Sequence, residues 1–280
     1  MPLIGTFTRS PAKMPLLDLS KITAGLSKTW SGFLRDWDRS LRSGNYPETT
    51  RYNCLPSAVF SSWPAARPPA WLAAQVAGAY SRRHHSGKPA MEGVETKLRR
   101  GASVADVGCG FGHSTVIMAK AFPQSRFHGF DFHEPSIEAA QKLAEEEGLG
   151  DRVTFEVTAA QDLPGGDYDL ITFFDCLHDL GDPGAALRGA EEVLADDGSC
   201  LVVEPNVSAE PGENIHPIGR SFASTSAVLC LPAAMAQDGP HALGNHPGQD
   251  ALEAIAAEVG LHSWRPAVET LTNLIYDVRR

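Results

Sequence analysis

The sequence contains no apolar run near the roughly 20 residues that a bilayer-spanning helix needs. Its opening, MPLIGTFTRSPAKMPLLDL (1–19), carries an Arg and a Lys but lacks the long apolar centre of a secretory signal. Cysteine is scarce as well. There are five, Cys54, Cys109, Cys176, Cys200 and Cys230, with no two near enough to form a C-x-x-C pair. The odd count and wide spacing fit reduced thiols in a cytoplasmic protein better than a disulfide framework, and for the same reason they argue against a zinc site, so no metal is expected.

Positive charge is scarce in one part of the chain. Residues 101–280 hold 9 Lys/Arg against 28 Asp/Glu, whereas residues 1–100 hold 15 against 6. The second part would repel a phosphate backbone, which argues against a nucleic-acid substrate. The break in charge also marks two different modules.

What is present divides at the same point. Residues 1–90 are irregular, and SSWPAARPPAW (61–71) breaks any helix. Helical spacing there is confined to Leu26–Leu41 and Ala70–Tyr80. Beyond Gly101, short β-like runs alternate with helical ones, the pattern of βαβ units around a parallel sheet. Strands are expected at Ser103–Val107, Arg126–Asp131, Val153–Val157, Leu170–Phe174 and Cys200–Val203. Helices are expected at Ser114–Ala121, Ser136–Glu147, Ala185–Leu194 and Ala251–Val259. An irregular stretch covers 205–247, and two strands, Leu261–Val268 and Thr272–Val278, close the chain as a hairpin.

The chemistry lies at the ends of these strands. In VADVGCGFGHSTVIMAKAF (104–122), Gly108, Gly110 and Gly112 form a turn between strand and helix. Such a turn brings a ligand to a helix N-terminus at the sheet edge. Asp131 ends the second strand about 20 residues on, where an acid can take both ribose hydroxyls of NAD or of S-adenosylmethionine, or can cap the following helix. DYDLITFFDCLHDLGDP (167–183) sets Asp175, His178 and Asp179 after the fourth strand, and LADDGSCLVVEPN (194–206) carries Glu204–Pro205 at the fifth.

In this order and spacing the runs resemble the class I S-adenosylmethionine-dependent methyltransferases over roughly residues 95–280. The resemblance implies a doubly wound α/β fold, a Rossmann-like, mostly parallel sheet of seven strands. It also implies S-adenosylmethionine as cofactor and a small-molecule acceptor, with no membrane partner. Residue by residue, it implies that the backbone of Gly108, Gly110 and Gly112 passes the methionine moiety and that Asp106 lies near its ammonium. Asp131 would hold the ribose, Phe132 would lie on the adenine, and Ala160 and Gln161 would line its edge. Asp175 would face the cofactor. Ala159 stands where many members have an adenine-binding acid, which leaves that contact to Gln161 or Asp162. Any general base would be His178, just past the fourth strand, with His216 second. A structural role for His178, bonded to a neighbouring loop, is the competing reading.

More narrowly, EGVETKLRRGASVADVGCG, PGENIHPIGR (211–220) and ETLTNLIYDVRR resemble a bacterial subgroup with an N-terminal winged helix, in which 205–247 caps the active site. WLAAQVAGAY (71–80) is similar to the end of that winged helix, so 71–94 reads as its remnant and linker. SKTWSGFLRDWDRSLRSGNYPETTRYN (27–53) is similar instead to a core-binding segment of phage-type tyrosine recombinases, so 1–70 reads as foreign or remnant. A truncated winged helix would weaken any homodimer. Two other readings stay open: a cofactor-binding regulator with a vestigial DNA-binding unit, and a decayed fusion product.

Overall fold

The computed structural model describes residues 91, 93–237 and 239–280. The expectations for 1–90, including both helices, the winged-helix remnant and the recombinase-like segment, lie outside the described residues.

The described chain opens with α1 (Val94–Arg100), then β1 (Ser103–Val107), α2 (His113–Ala121), β2 (Arg126–Asp131), α3 (Glu134–Glu146), β3 (Val153–Val157) and β4 (Tyr168–Phe174). It continues through α4 (Pro183–Val193), β5 (Leu194–Pro205), α5 (Pro217–Thr225), α6 (Leu231–Met235), α7 (Gln249–Glu258), β6 (Ser263–Glu269) and β7 (Asn273–Arg279). The seven strands form one sheet in the order β3-β2-β1-β4-β5-β7-β6. Strands β1 to β5 pair in parallel, and β7 runs antiparallel to both β5 and β6. The expected doubly wound sheet with a terminal hairpin is therefore present.

The strands are apolar on both faces because helices cover both. Side chains alternate along a strand, and the alternation sorts them into two cores. Val104, Phe127, Leu170, Leu201 and Ile275 share one core with Val116, Met118, Ile137 and Ala140 of α2 and α3. Ala105, Phe130, Ile171, Val202 and Tyr276 share the other with Leu187 and Ala190 of α4 and Leu252 and Ala256 of α7. Each fully buried Val, Leu, Ile, Phe or Met among them contributes about 1.5–3 kcal/mol. The helix starts are set by local chemistry. Pro183 opens α4, and the carboxylate of Asp182 accepts from the N–H of Ala185 at 2.8 Å.

Three elements differ from expectation, the first being α1, which no expected helix covers. Strand β5 begins at Leu194 rather than Cys200. The polar ADDG stretch reads as a turn, yet Leu194 pairs with Tyr168 and the register shifts between Tyr168 and Leu170, which extends the strand. The stretch 205–247 is not irregular throughout. It holds α5, a π-helical turn at Ser226–Cys230 and α6 in succession. Its prolines suggested breaks, but Pro217 stands in the first turn of α5, where no helical N–H is lost, and Pro232 lies inside the continuous helical run, directly after the π-helical turn at Ser226–Cys230.

Strand order reverses between β1 and β4: β2 and β3 lie to one side of β1, while β4 and β5 lie to the other. Open α/β sheets bind ligands in the crevice at such a reversal, beyond the C-terminal ends of the strands.

Candidate active site

The loop after β1 is built from glycines because the backbone must turn through the left-handed region. Gly108, Gly110 and Gly112 have φ of +69°, +52° and +75°. Space requires glycine too. A Cβ on Gly112 would stand 2.6 Å from the Phe155 ring and 2.8 Å from Ala140, and one on Gly108 would stand 2.9 Å from the Cys176 sulfur. The N–H groups of Gly108 and Cys109 donate to the Phe130 carbonyl at 2.8 and 3.0 Å, tying the loop to β2.

Asp131, at the end of β2, completes the tie. Its Oδ2 accepts from the N–H of Gly110 at 3.0 Å, and its Oδ1 accepts from the N–H of His133 at 2.9 Å. Burial pushes its carboxyl up from the usual carboxylate range, and the two N–H donors oppose that. A carboxylate oxygen offers two acceptor positions. Each oxygen of Asp131 thus keeps one, a pair matched to two neighbouring hydroxyls.

Asp106 occupies a different setting. It is buried, and three hydroxyls close on it: Ser114 and Thr115 donate to Oδ2, each at 2.6 Å, and Thr172 donates to Oδ1 at 2.8 Å. Desolvation raises its carboxyl and the hydroxyl bonds offset part of that. Only Oδ1 keeps an open acceptor position. In the structure Asp106 fastens β1 to α2 and β4 beneath the loop.

Phe132 and Ala160 are half-buried, and Ala160 packs against the second core. Gln161 is exposed. Its carbonyl stands where a Cβ on Gly189 of α4 would meet it at 2.7 Å, and with Asp182, Arg188, Glu192 and His241 it lines an open cleft of about 410 Å³.

The end of β4 carries the second half of the site. Asp175 has φ of +49°, a conformation that costs a residue with a Cβ about 1–2 kcal/mol. Its N–H donates to the Val203 carbonyl at 2.9 Å and its Oδ1 accepts from Asn273 at 2.8 Å, so neighbouring strands hold the strained turn. Strain of this kind gathers at functional sites.

His178 follows in a 3₁₀ turn, Leu177–Asp179, and is 3% exposed. Its Nδ1 lies 2.5 Å from Oε2 of Glu204 at the end of β5, and its Nε2 lies 3.3 Å from Oδ1 of Asp179. Desolvation alone would lower the imidazole pKa. The charges of Glu204 and Asp179 outweigh it and hold the imidazole well above its ordinary range. Asp179 is raised by burial, against the pull of His178. The thiol of Cys230, from the π-helical turn of the cap, closes the cluster.

His216, the second candidate base, is elsewhere employed. It is exposed and caps α5, its Nδ1 accepting from the N–H of Gly219 at 3.2 Å. Glu204 and Cys230 were not singled out as site residues. For Glu204 the sequence held one signal, an acid closing an otherwise apolar strand in LVVEP; for Cys230 it held none.

Residues 98–254 match the profile of a family described as methyltransferase domain. A 27-O-demethylrifamycin SV methyltransferase of Amycolatopsis mediterranei (strain S699) is 30% identical over 139 residues, 47% of this chain and 51% of that protein. Ajmaline N-methyltransferase of Rauvolfia serpentina is 29% identical over 103 residues, 36% of this chain and 35% of that protein. The chain thus spans about half of the first relative and about a third of the second. Among solved structures, an O-methyltransferase family protein from Burkholderia thailandensis aligns with a TM-score of 0.53 at 19% identity, over 68% of this chain and 53% of that one. At that identity the likeness concerns the fold.

Proposed function

The chain belongs to the methyltransferase domain family, and from that premise we propose that it transfers a methyl group from S-adenosylmethionine to a hydroxyl of a small-molecule acceptor. The observation that carries this reading is the pairing, across the strand reversal, of a nucleoside-type acid with a buried acid-held imidazole.

The residues present fit the cofactor. Asp131 keeps one acceptor position on each oxygen for the two ribose hydroxyls. The glycine loop lies beside it, tied to Asp131 through the N–H of Gly110, with Phe132 and Ala160 at the same sheet edge. Asp106, held by three hydroxyls, acts chiefly by fixing the loop. When bound, S-adenosylmethionine supplies an electrophilic methyl group on a sulfonium.

The chain's own task is alignment, exclusion of water and disposal of one proton. Alignment of a nucleophile can supply roughly 7–11 kcal/mol. A hydroxyl acceptor loses its proton as its oxygen is methylated, and the neutral form of His178 takes that proton at Nε2. Glu204 accepts from Nδ1, which fixes the tautomer and strengthens the base. The cap, α5 to α6, closes over the base through Cys230. The named relatives act on small molecules at oxygen or nitrogen; the acid-held histidine favours oxygen here. The acidity of 101–280 speaks against a nucleic-acid acceptor. No helix among the described residues is long and apolar enough to cross a membrane, and we place the protein in the cytoplasm on the odd number and wide spacing of its cysteines.

The test is calorimetric titration with S-adenosylmethionine, with NAD as competitor, followed by an S-adenosylhomocysteine release assay over a panel of phenols and hydroxylated polycycles. Micromolar binding that NAD does not displace, with acceptor-dependent release, is expected. A folded chain that binds no S-adenosylmethionine would sink the reading.

A further inference from the structure

The cluster at His178 holds more ligand atoms than proton transfer uses. Asp179 is 1% exposed, and neither of its carboxylate oxygens has a hydrogen-bond partner. The thiol of Cys230 lies beside both Asp179 and His178 and acts on the charge of each. A buried carboxylate lacking donors is costly, and as an acceptor-only group it takes either N–H and O–H donors or a cation.

One atom each from His178, Asp179 and Cys230, an imidazole nitrogen, a carboxylate oxygen and a sulfur, lie within 4.8 Å of one another, and all three residues are buried. The 3.3 Å between Nε2 of His178 and Oδ1 of Asp179 is informative. It is long for a charged hydrogen bond, yet it equals the edge, about 3.3 Å, of a tetrahedron whose centre binds nitrogen and oxygen at about 2.0 Å. The other ring nitrogen already faces Glu204, the carboxylate partner that metal-bound imidazoles adopt.

We propose that His178, Asp179 and Cys230 form a site for a thiophilic divalent cation of the zinc class, bound through Nε2, a carboxylate oxygen and Sγ, with a fourth position open. Binding sends the thiol proton and the proton on Nε2 of the imidazolium to solvent, and the thiolate and the Asp179 carboxylate then balance the two positive charges. Drawing Cys230 to bonding distance takes a movement of about 1 Å, from bonds of about 2.3 Å to sulfur. The spacing of cysteines along the chain could not reveal this site, because its ligands come from two segments about fifty residues apart that meet only when the cap packs on β4. Nε2 cannot hold an ion and accept a proton together. On the methyl-transfer reading, on which this consequence alone rests, the ion silences the base.

The experiment is a Co²⁺ titration of the tag-free full-length chain, followed by absorbance. One equivalent should produce a thiolate-to-cobalt charge-transfer band with intense tetrahedral d–d bands, and Zn²⁺ should erase both. Cys230→Ser should abolish the charge-transfer band, and Glu204→Gln should weaken Zn²⁺ affinity roughly 10- to 100-fold. Wild-type protein without the band, or a band that survives in Cys230→Ser, would overturn the site. The wild-type spectrum decides even if a variant fails to fold. Cofactor calorimetry on the same preparation keeps the two readings apart, since the cobalt band can appear without methyl transfer and the reverse.

Discussion

The Nδ1 of His178 and the Oε2 of Glu204 meet 2.5 Å apart, joining the turn after β4 to the end of the adjacent strand β5. Glu204 is 2% exposed, so its charge acts through little water. If the pair is the proton acceptor, His178→Ala lowers kcat by about 10²- to 10⁴-fold. Glu204→Gln keeps the imidazole but loses the charge, and should fall between wild type and His178→Ala. Cofactor affinity should stay near wild type in both, since neither touches the glycine loop. Turnover measured in chelator, beside calorimetry, checks this. Unchanged turnover in His178→Ala would make the histidine structural.

Asp131 carries the cofactor prediction. Asp131→Ala removes two charged hydrogen bonds to the ribose, each worth about 1.5–3 kcal/mol. It also frees the N–H of Gly110 from its anchor. The dissociation constant for S-adenosylmethionine should rise at least about 100-fold, measured by calorimetry. Asp131→Asn should lose less, because an amide oxygen still accepts from one donor.

Gly112→Ala tests how tightly the loop is packed. A side chain at φ of +75° costs about 1–2 kcal/mol. The new methyl would meet Phe155 at 2.6 Å and Ala140 at 2.8 Å, and overpacking costs about 1–3 kcal/mol. The expected destabilisation is about 2–5 kcal/mol, read from the urea midpoint. A shift below about 1 kcal/mol would mean that Phe155, near the sheet edge, swings aside freely.

The sheet and the cofactor half of the site were legible because their signals are local. Gly108, Gly110, Gly112 and Asp131 lie within 24 residues, and glycine spacing against strand and helix periodicity gives their placement directly. The acceptor half was legible only in part. His178 stands in a recognisable run, but its partner Glu204 is 26 residues away, and their meeting depends on β4 and β5 being neighbours. Cys230 arrives from a segment read as irregular. Its prolines looked like breaks, yet Pro217 opens α5 and Pro232 is carried within the helical run that follows the π-helical turn. His216, read as the second candidate base, is exposed and accepts from the N–H of Gly219 as the N-cap of α5, a local role that its place in the sequence did not announce.

The thiols offer a final check that needs no substrate. Burial pushes Cys200 up to about 12 and Cys109 well above its ordinary value, and nearby carboxylates add to both. At pH 8 a thiol titrating near 12 is ionised in about one molecule in ten thousand, and only the thiolate attacks an alkylating reagent. Cys176 differs. It is half-buried, beneath the glycine loop, where its sulfur stands 2.9 Å from the position a Cβ on Gly108 would take. Iodoacetamide mapped by peptide mass spectrometry should therefore label Cys176 well before Cys109 and Cys200, which should react only on unfolding. If S-adenosylmethionine lies over that loop, saturating cofactor slows Cys176 several-fold and leaves the order unchanged. Equal labelling of Cys176 with and without cofactor would place the ligand away from the loop and undo the assignment of Gly108.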